Sequence, residues 1–347
     1  MQAFLALPRE DQKLAIEQTG ARNGWVASSV EKDFWVCWTL ERLFALPELK
    51  GHLTFKGGTS LSKVWGLIDR FSEDIDLTIG RDALGFGGEN SPERAPSAKQ
   101  QAKRLKALRE ACGTFVRHTL MPTLNGHLIT RLGATGWQLT LDAEDPDGQT
   151  LLFFYPTHFG GEAARYVRPI VKIEFGARSD PWPAHERSVH PVIAEVFPQL
   201  FTQLKTIVHA LAPERTFWEK AMLLHEETYR PADKQRRPRM ARHYYDLYRL
   251  IQSGIAAKAL EDRDLFNNVL AHRSVFFAQS WIDYRAMAPE TLRLLPLSDQ
   301  EQSWRQDYLA MQVEMFTEAP PDFDAVLDFV GQFEEAMRYR TKGSNRG

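Results

Sequence analysis

The period of the apolar residues changes along the chain, and each change marks an element. Residues 9–20 read as a short polar helix. A firmer helix is expected from Ser28, where Ser28 and Glu31 have capping-box spacing and Val30, Phe34, Cys37 and Trp38 form an apolar stripe. Pro47 stops it. HLTFK (52–56) then reads as a strand, Gly57–Gly58 breaks it, and TSLSKVWGLIDR opens a helix. SEDIDLTIG (72–80) alternates strictly, with Ile75, Leu77 and Ile79 on one face and Asp74, Asp76 and Thr78 on the other. Residues 85–98 read as a loop, and a basic helix follows from about 98 to 120. GWQLTL (136–141) and TLLFFYP (150–156) flank DAEDPDGQ, the pattern of two antiparallel strands joined by a turn at Asp147–Gly148. In 167–177, Val171, Ile173 and Phe175 oppose Lys172 and Glu174. Residues 181–198 are proline-rich and polar. Beyond them the period is helical, with at most one strand, around 203–208.

These elements describe an α+β chain. A mixed β-sheet domain with flanking helices spans 1–185, and a mainly α-helical domain spans 186–347. The length of 347 residues agrees with two domains at about 150 residues each. Hydrophobic residues at 43% and charged residues at 25% are ordinary for a globular chain able to bury a large core. The net charge of −2 excludes a uniformly basic nucleic-acid coat and an acidic, disordered chain. Two cysteines, Cys37 and Cys112, exclude a disulfide framework and a four-cysteine zinc site. The N-terminus lacks the marks of a signal peptide, and no apolar run approaches the 18 or so residues of a membrane span. The expectation is a cytoplasmic protein with no membrane contact.

Candidate chemistry lies between Lys56 and Leu77. Period-2 geometry puts Asp74 and Asp76 on one face, with Cα atoms about 6–7 Å apart. Like charges that close are costly unless something positive sits between them, and an all-carboxylate site favours Mg²⁺ or Mn²⁺. Glu174 offers a third acid on a later strand, and three carboxylates on adjacent strands could hold two metals for in-line phosphoryl transfer. The competing reading is a solvated edge-strand face. Just before this strand, Gly57 and Gly58 let the backbone approach a ligand, and the new helix with Thr59 and Ser60 offers N–H groups to phosphate. An anion cradle beside a cation site suits a nucleoside triphosphate with Mg²⁺. The turn is not a Walker A loop, because Ser62 stands where the spaced glycine before Lys63 would be. Lys63 reads equally as a phosphate ligand or an exposed helix residue. Lys220 shares a helical face with Phe217, Ala221 and Leu224, so it requires an anionic partner, such as a triphosphate, or snorkels to water. Arg239, Arg242, Asp246 and Arg249 line one stripe that ordinary ion pairs along an exposed helix explain. Residues 230–242 (RPADKQRRPRMAR) carry six basic residues against Asp233 alone, a solvated loop or a contact to an RNA backbone.

GWVASSVEKDFWVCWTLERLF followed by FKGGTSLSKVWGLIDRFSEDIDLTI closely resembles the AbiEii/AbiGii toxin family of nucleotidyltransferases, within the DNA polymerase β-like nucleotidyltransferase superfamily. The resemblance is strong over about 25–80 and looser over 165–250. It implies that Gly57, Gly58, Thr59 and Ser60, with Ser72, form the nucleotide-binding turn and that Asp74 and Asp76 bind metal. Glu174 stands where the superfamily often has Asp. Lys220 in ERTFWEKAMLLHEE and Asp246 in RHYYDLYRL match the family's helical Lys and its Asp-Leu motif. The implied activity is Mg²⁺-dependent transfer of a nucleotide from an NTP to an acceptor hydroxyl, with a tRNA 3′ end favoured. The implied role is the toxin of a type IV toxin–antitoxin or phage-defence system with a cognate antitoxin. Transfer to a protein side-chain hydroxyl, and a nucleotide-binding partner protein without turnover, are the alternatives.

Overall fold

The computed structural model describes residues 1–70, 74–160, 167–316 and 320–344, without the side chains of 313, 314 and 340–344. Ser72, expected beside the nucleotide, lies outside the described residues. The chain forms two compact units, Met1–Val64 with Ser72–Leu211, and Trp65–Phe71 with Ala212–Gly347.

The first unit is built on a seven-stranded mixed sheet. Its strands are β1 (Leu53–Lys56), β2 (Asp74–Ile79), β3 (Gln138–Leu141), β4 (Thr150–Phe154), β5 (Ile170–Gly176), β6 (Ala184–Val189) and β7 (Thr206–Leu211). Their order is β3-β4-β5-β2-β1-β7-β6. β2 runs parallel to β5 and antiparallel to β1, while β1 runs parallel to β7. The alternation seen in the sequence decides the faces. Phe55, Ile75, Leu77, Ile79, Leu151, Phe153, Val171 and Ile173 are buried on one side. Helix α1 (Ala27–Phe44) brings Trp35 and Trp38 to this apolar layer, with ring centroids 5.8 and 6.1 Å from Phe153. Aromatic pairs of this kind add about 0.5–1.5 kcal/mol beyond their area burial.

Four local expectations change. Val26, not Ser28, is the N-cap of α1, and no capping box forms. Glu31 turns instead to the segment after β4, accepting hydrogen bonds from Thr157 Oγ1 (2.5 Å) and the His158 backbone N–H (2.7 Å) and facing His158 Nδ1 at 2.7 Å. A carboxylate this deeply buried needs such partners. The helix after β1, α2 (Gly57–Lys63), starts at the first glycine and stops after seven residues. The basic helix α3 (Ala98–Phe115) passes through a π turn at Val116–Leu120 into Met121–Leu132. The sheet also continues past 185 through β6 and β7, so the first compact unit runs to Leu211. β6 is hidden in the sequence because it is an edge strand, with His185, Glu186 and Arg187 all exposed and no apolar alternation to read.

The second unit is mainly helical: α4 (Pro213–Thr228), α5 (Arg242–Gln252), α6 (Ile255–Glu261), α7 (Arg263–Phe276), α8 (Glu301–Met315) and α9 (Phe323–Ser344). Trp218 packs edge-on to Phe266, and Tyr244 packs edge-on to Trp304. Among the described residues, no helix is long and apolar enough to cross a membrane.

Candidate active site

The face of the sheet opposite the apolar layer carries the expected acids. Register sets Lys56, Asp76, Glu174 and Thr150 side by side across β1, β2, β5 and β4, and sets Asp74 beside Lys172. Asp74, Asp76 and Glu174 are all half-buried. The Gly57 turn closes against this row. Gly57 has φ of +77°, and a Cβ built there would lie 2.0 Å from Asp76 Oδ2 and 2.7 Å from its Cγ. Glycine is therefore required twice, for the left-handed backbone and for the space Asp76 fills. Thr59 is buried and donates its hydroxyl to the Asp74 carbonyl at 2.5 Å. Ser60 is buried too, and its hydroxyl has no hydrogen-bond partner among the described residues. The fold thus brings the Gly57–Ser60 turn and the Asp74–Asp76 pair into one place.

Glu174 is arranged differently. Its Oε1 lies 2.8 Å from Lys172 Nζ, which also approaches Asp142 at 3.8 Å. Burial pulls the Lys172 pKa down, but the hydrogen bond to Glu174 and the attraction of Glu174, Asp74 and Asp142 outweigh it and hold it above the ordinary lysine value. Among the described residues, no group of three His, Cys, Asp or Glu side chains is placed to hold a metal ion. Glu174, expected as the third acid, is paired with Lys172. Asp74 and Asp76 remain as a pair of hard oxygen donors on one face. That set fits Mg²⁺ or Mn²⁺, which use one or two carboxylates and leave other positions for water and phosphate oxygens.

Lys63 is neither exposed nor open to phosphate. Its ammonium pairs with Asp33 of α1, whose second oxygen accepts the Val192 N–H at 2.7 Å. Burial lowers the Lys63 pKa, and Asp33 more than reverses the effect.

In the second unit, Lys220 donates to Asp246 Oδ2 at 2.8 Å and lies 3.2 Å from His243 Nδ1. Arg70 grips the same carboxylate with two bonds of 2.7 and 2.9 Å. Asp246 is fully buried, so the exposed stripe expected of it with Arg239, Arg242 and Arg249 does not exist. Arg239 precedes α5, and Arg249 pairs with Asp69. Burial pushes the Asp246 carboxyl up, but Arg70 and then Lys220 hold it well below the usual carboxylate range. The Lys220 pKa is lowered, by burial first and, against the pull of Asp246, by the neighbouring Arg70. Arg70 is the partner that sequence reasoning missed. It lies 176 residues from Asp246, and only the need of a buried carboxylate for a cation pointed to it.

The basic segment is partly tied down. Arg236 stacks over Trp304 at 3.6 Å, and Lys234 lies over Trp281 at 4.3 Å. The backbone N–H groups of Arg239 and Ala241 donate to Asp307 at 2.6 and 2.7 Å. Lys234, Arg237 and Arg239 are exposed.

Residues 38–329 match the profile of the nucleotidyl transferase AbiEii toxin family, type IV toxin–antitoxin system, and the chain belongs to that family. Among solved structures it is similar to MenT4, a nucleotidyltransferase toxin from Mycobacterium tuberculosis. That likeness has a TM-score of 0.44 and 20% identity, covering 96% of this chain and 88% of the other. No curated protein matches the chain.

Proposed function

We propose that the protein transfers a nucleotide from an NTP to a tRNA 3′ end with the help of Mg²⁺ or Mn²⁺, as a cytoplasmic toxin of a type IV toxin–antitoxin or phage-defence system with a cognate antitoxin. The observation that carries this reading is the closure of the Gly57 turn on Asp76, which sets a close-approach backbone against a carboxylate pair. Asp74 and Asp76 would hold the cation. When bound, it supplies charge neutralisation for the triphosphate and lowers the pKa of the acceptor hydroxyl. Gly57, Gly58, Thr59 and Ser60 offer backbone N–H groups and the Ser60 hydroxyl to the phosphates, and the resemblance adds Ser72. Arg70 and Lys220 share one carboxylate, Asp246. Lys220 is therefore proposed as a phosphate contact, with Asp246 as its holder. The exposed bases of 230–242 suit the acceptor backbone. Little covalent work falls to the protein in such a transfer, so positioning supplies much of the rate.

The test is incubation with total RNA, each labelled triphosphate and Mg²⁺. Label in tRNA is expected, and Asp74→Ala or Asp76→Ala should abolish it in folded protein. Label in protein instead of RNA would replace the acceptor. Mg²⁺-dependent NTP binding without pyrophosphate release would make the protein a non-catalytic binder. Unchanged incorporation by either variant refutes the mechanism.

A further inference from the structure

Resting on the cation reading above, we propose that Lys172 is a resident counter-cation that competes with the divalent ion for the Asp74–Asp76 face, and that Glu174 acts as its holder instead of a third metal ligand. Three acids surround this one ammonium. Glu174 Oε1 lies at 2.8 Å and Asp142 Oδ2 at 3.8 Å, and the attraction extends to Asp74, the register partner of Lys172 across β2 and β5. The next register pair along the same two strands is Asp76 with Glu174. An ammonium here lowers the negative potential that a divalent cation would meet.

Exposure separates this pair from the structural ones. The Lys172 and Glu174 side chains are 37% and 40% exposed. An ion pair this wet contributes little to stability and separates at small desolvation cost. Lysine also carries its charge on a flexible four-carbon stem, so it can leave when a better cation arrives. Glu174, held by Lys172 and outside any three-acid cluster among the described residues, is assigned the part of keeping that charge in place instead of coordinating the metal.

The test is a titration of the full-length protein with Mn²⁺ alone, following loss of the free-ion electron paramagnetic resonance signal. The variants are Lys172→Met, Glu174→Gln, their double and Asp76→Asn, with the exposed Lys258→Met as a control for net charge. Lys172→Met should tighten Mn²⁺ binding about tenfold while Lys258→Met changes it less than about twofold. Asp76→Asn should abolish it. In the Lys172→Met background, Glu174→Gln should weaken binding by less than about tenfold, the loss of one neighbouring charge and not of a ligand. A tenfold or greater loss on adding Glu174→Gln in that background would make Glu174 a direct ligand and overturn the assignment. Unchanged affinity in Lys172→Met overturns the competition. Failure of every variant and of the wild type to bind Mn²⁺ overturns the cation reading itself, and this inference with it. Wild-type binding with an indifferent Lys172→Met removes this inference alone.

Discussion

Replacing Asp246 by Asn tests whether this carboxylate is first a structural charge. Asp246 is fully buried and receives three charged hydrogen bonds, two from Arg70 and one from Lys220. Summing them as independent contributions would overshoot, because they share one carboxylate. The governing quantity is the cost of leaving buried cations without their anion, about 3–5 kcal/mol. At roughly 2–4 °C per kcal/mol for a unit of this size, the melting temperature should fall by about 10 °C. Lys220→Met is the informative contrast. It leaves the two-bond Arg70–Asp246 pair balanced and removes an ammonium whose pKa burial already lowers, so its cost should stay within about 1 kcal/mol. The pH dependence has a defined sign. The Asp246 pKa is depressed in the fold, so its contribution is fully present above the unfolded carboxylate value of about 3.9 and is lost as pH falls toward the folded one. The Asp246→Asn penalty should therefore shrink below about pH 4. Thermal and urea unfolding of both variants without nucleotide, at pH 7 and pH 3, measure all of this. An Asp246→Asn protein melting within about 2 °C of wild type would refute the reasoning.

Three further outcomes are expected. Gly57→Ala forces an L side chain into a positive φ at about 1–2 kcal/mol and drives its Cβ into Asp76. Nucleotide transfer should fall about a hundredfold through misplacement of the carboxylate, with the melting temperature down only a few degrees, and retained transfer would count against the contact. Lys63→Met leaves Asp33 buried with its Val192 N–H but no counter-ion, costing about 3 kcal/mol in urea unfolding, and adding Asp33→Leu should recover most of that. His225 accepts the Arg293 N–H at 2.9 Å, and burial, with Arg293 nearby, holds its pKa at about 4. A neutral buried histidine costs stability as pH falls from its unfolded value of about 6.5 toward 4, by about 2 kcal/mol after allowance for partial solvation, and His225→Gln should flatten that part of the profile.

The sheet was legible wherever one strand face is buried and the other wet. Ile75, Leu77 and Ile79 against Asp74 and Asp76, and Val171, Ile173 and Phe175 against Lys172 and Glu174, assigned both β2 and β5 correctly to their faces. β6 was not legible, because an edge strand with exposed His185, Glu186 and Arg187 has no period to show. The proximity of the Gly57 turn to Asp76 was foreshadowed by Gly-Gly and D-x-D standing one short helix apart. The environment of Asp246 was not, since its polar spacing on α5 suits an exposed helix equally well and its chief partner, Arg70, is distant in sequence. Glu31 shows the same limit at close range. Its spacing from Ser28 suits a cap, but the fold uses it to hold Thr157 and His158.

The lysines sharpen the difference between a charge that holds a fold and one that handles a ligand. The Walker A comparison singled out Lys63 and helical position singled out Lys220, and both turn out to be paired with aspartates, Asp33 and Asp246, inside their own units. Their side chains are 18% and 10% exposed. For such groups, parting from the partner leaves an already desolvated charge uncompensated, which is why losing one side of the pair is so costly. Arg70 relieves this for Lys220, because Asp246 keeps a counter-charge when the lysine turns elsewhere. Lys172 sits in neither position. Strand alternation put it on the acid face without marking it, and its wetter, flexible ammonium can change partners at little cost. A cation that must yield when a metal–nucleotide complex arrives should be sought on that face before it is sought along a helix.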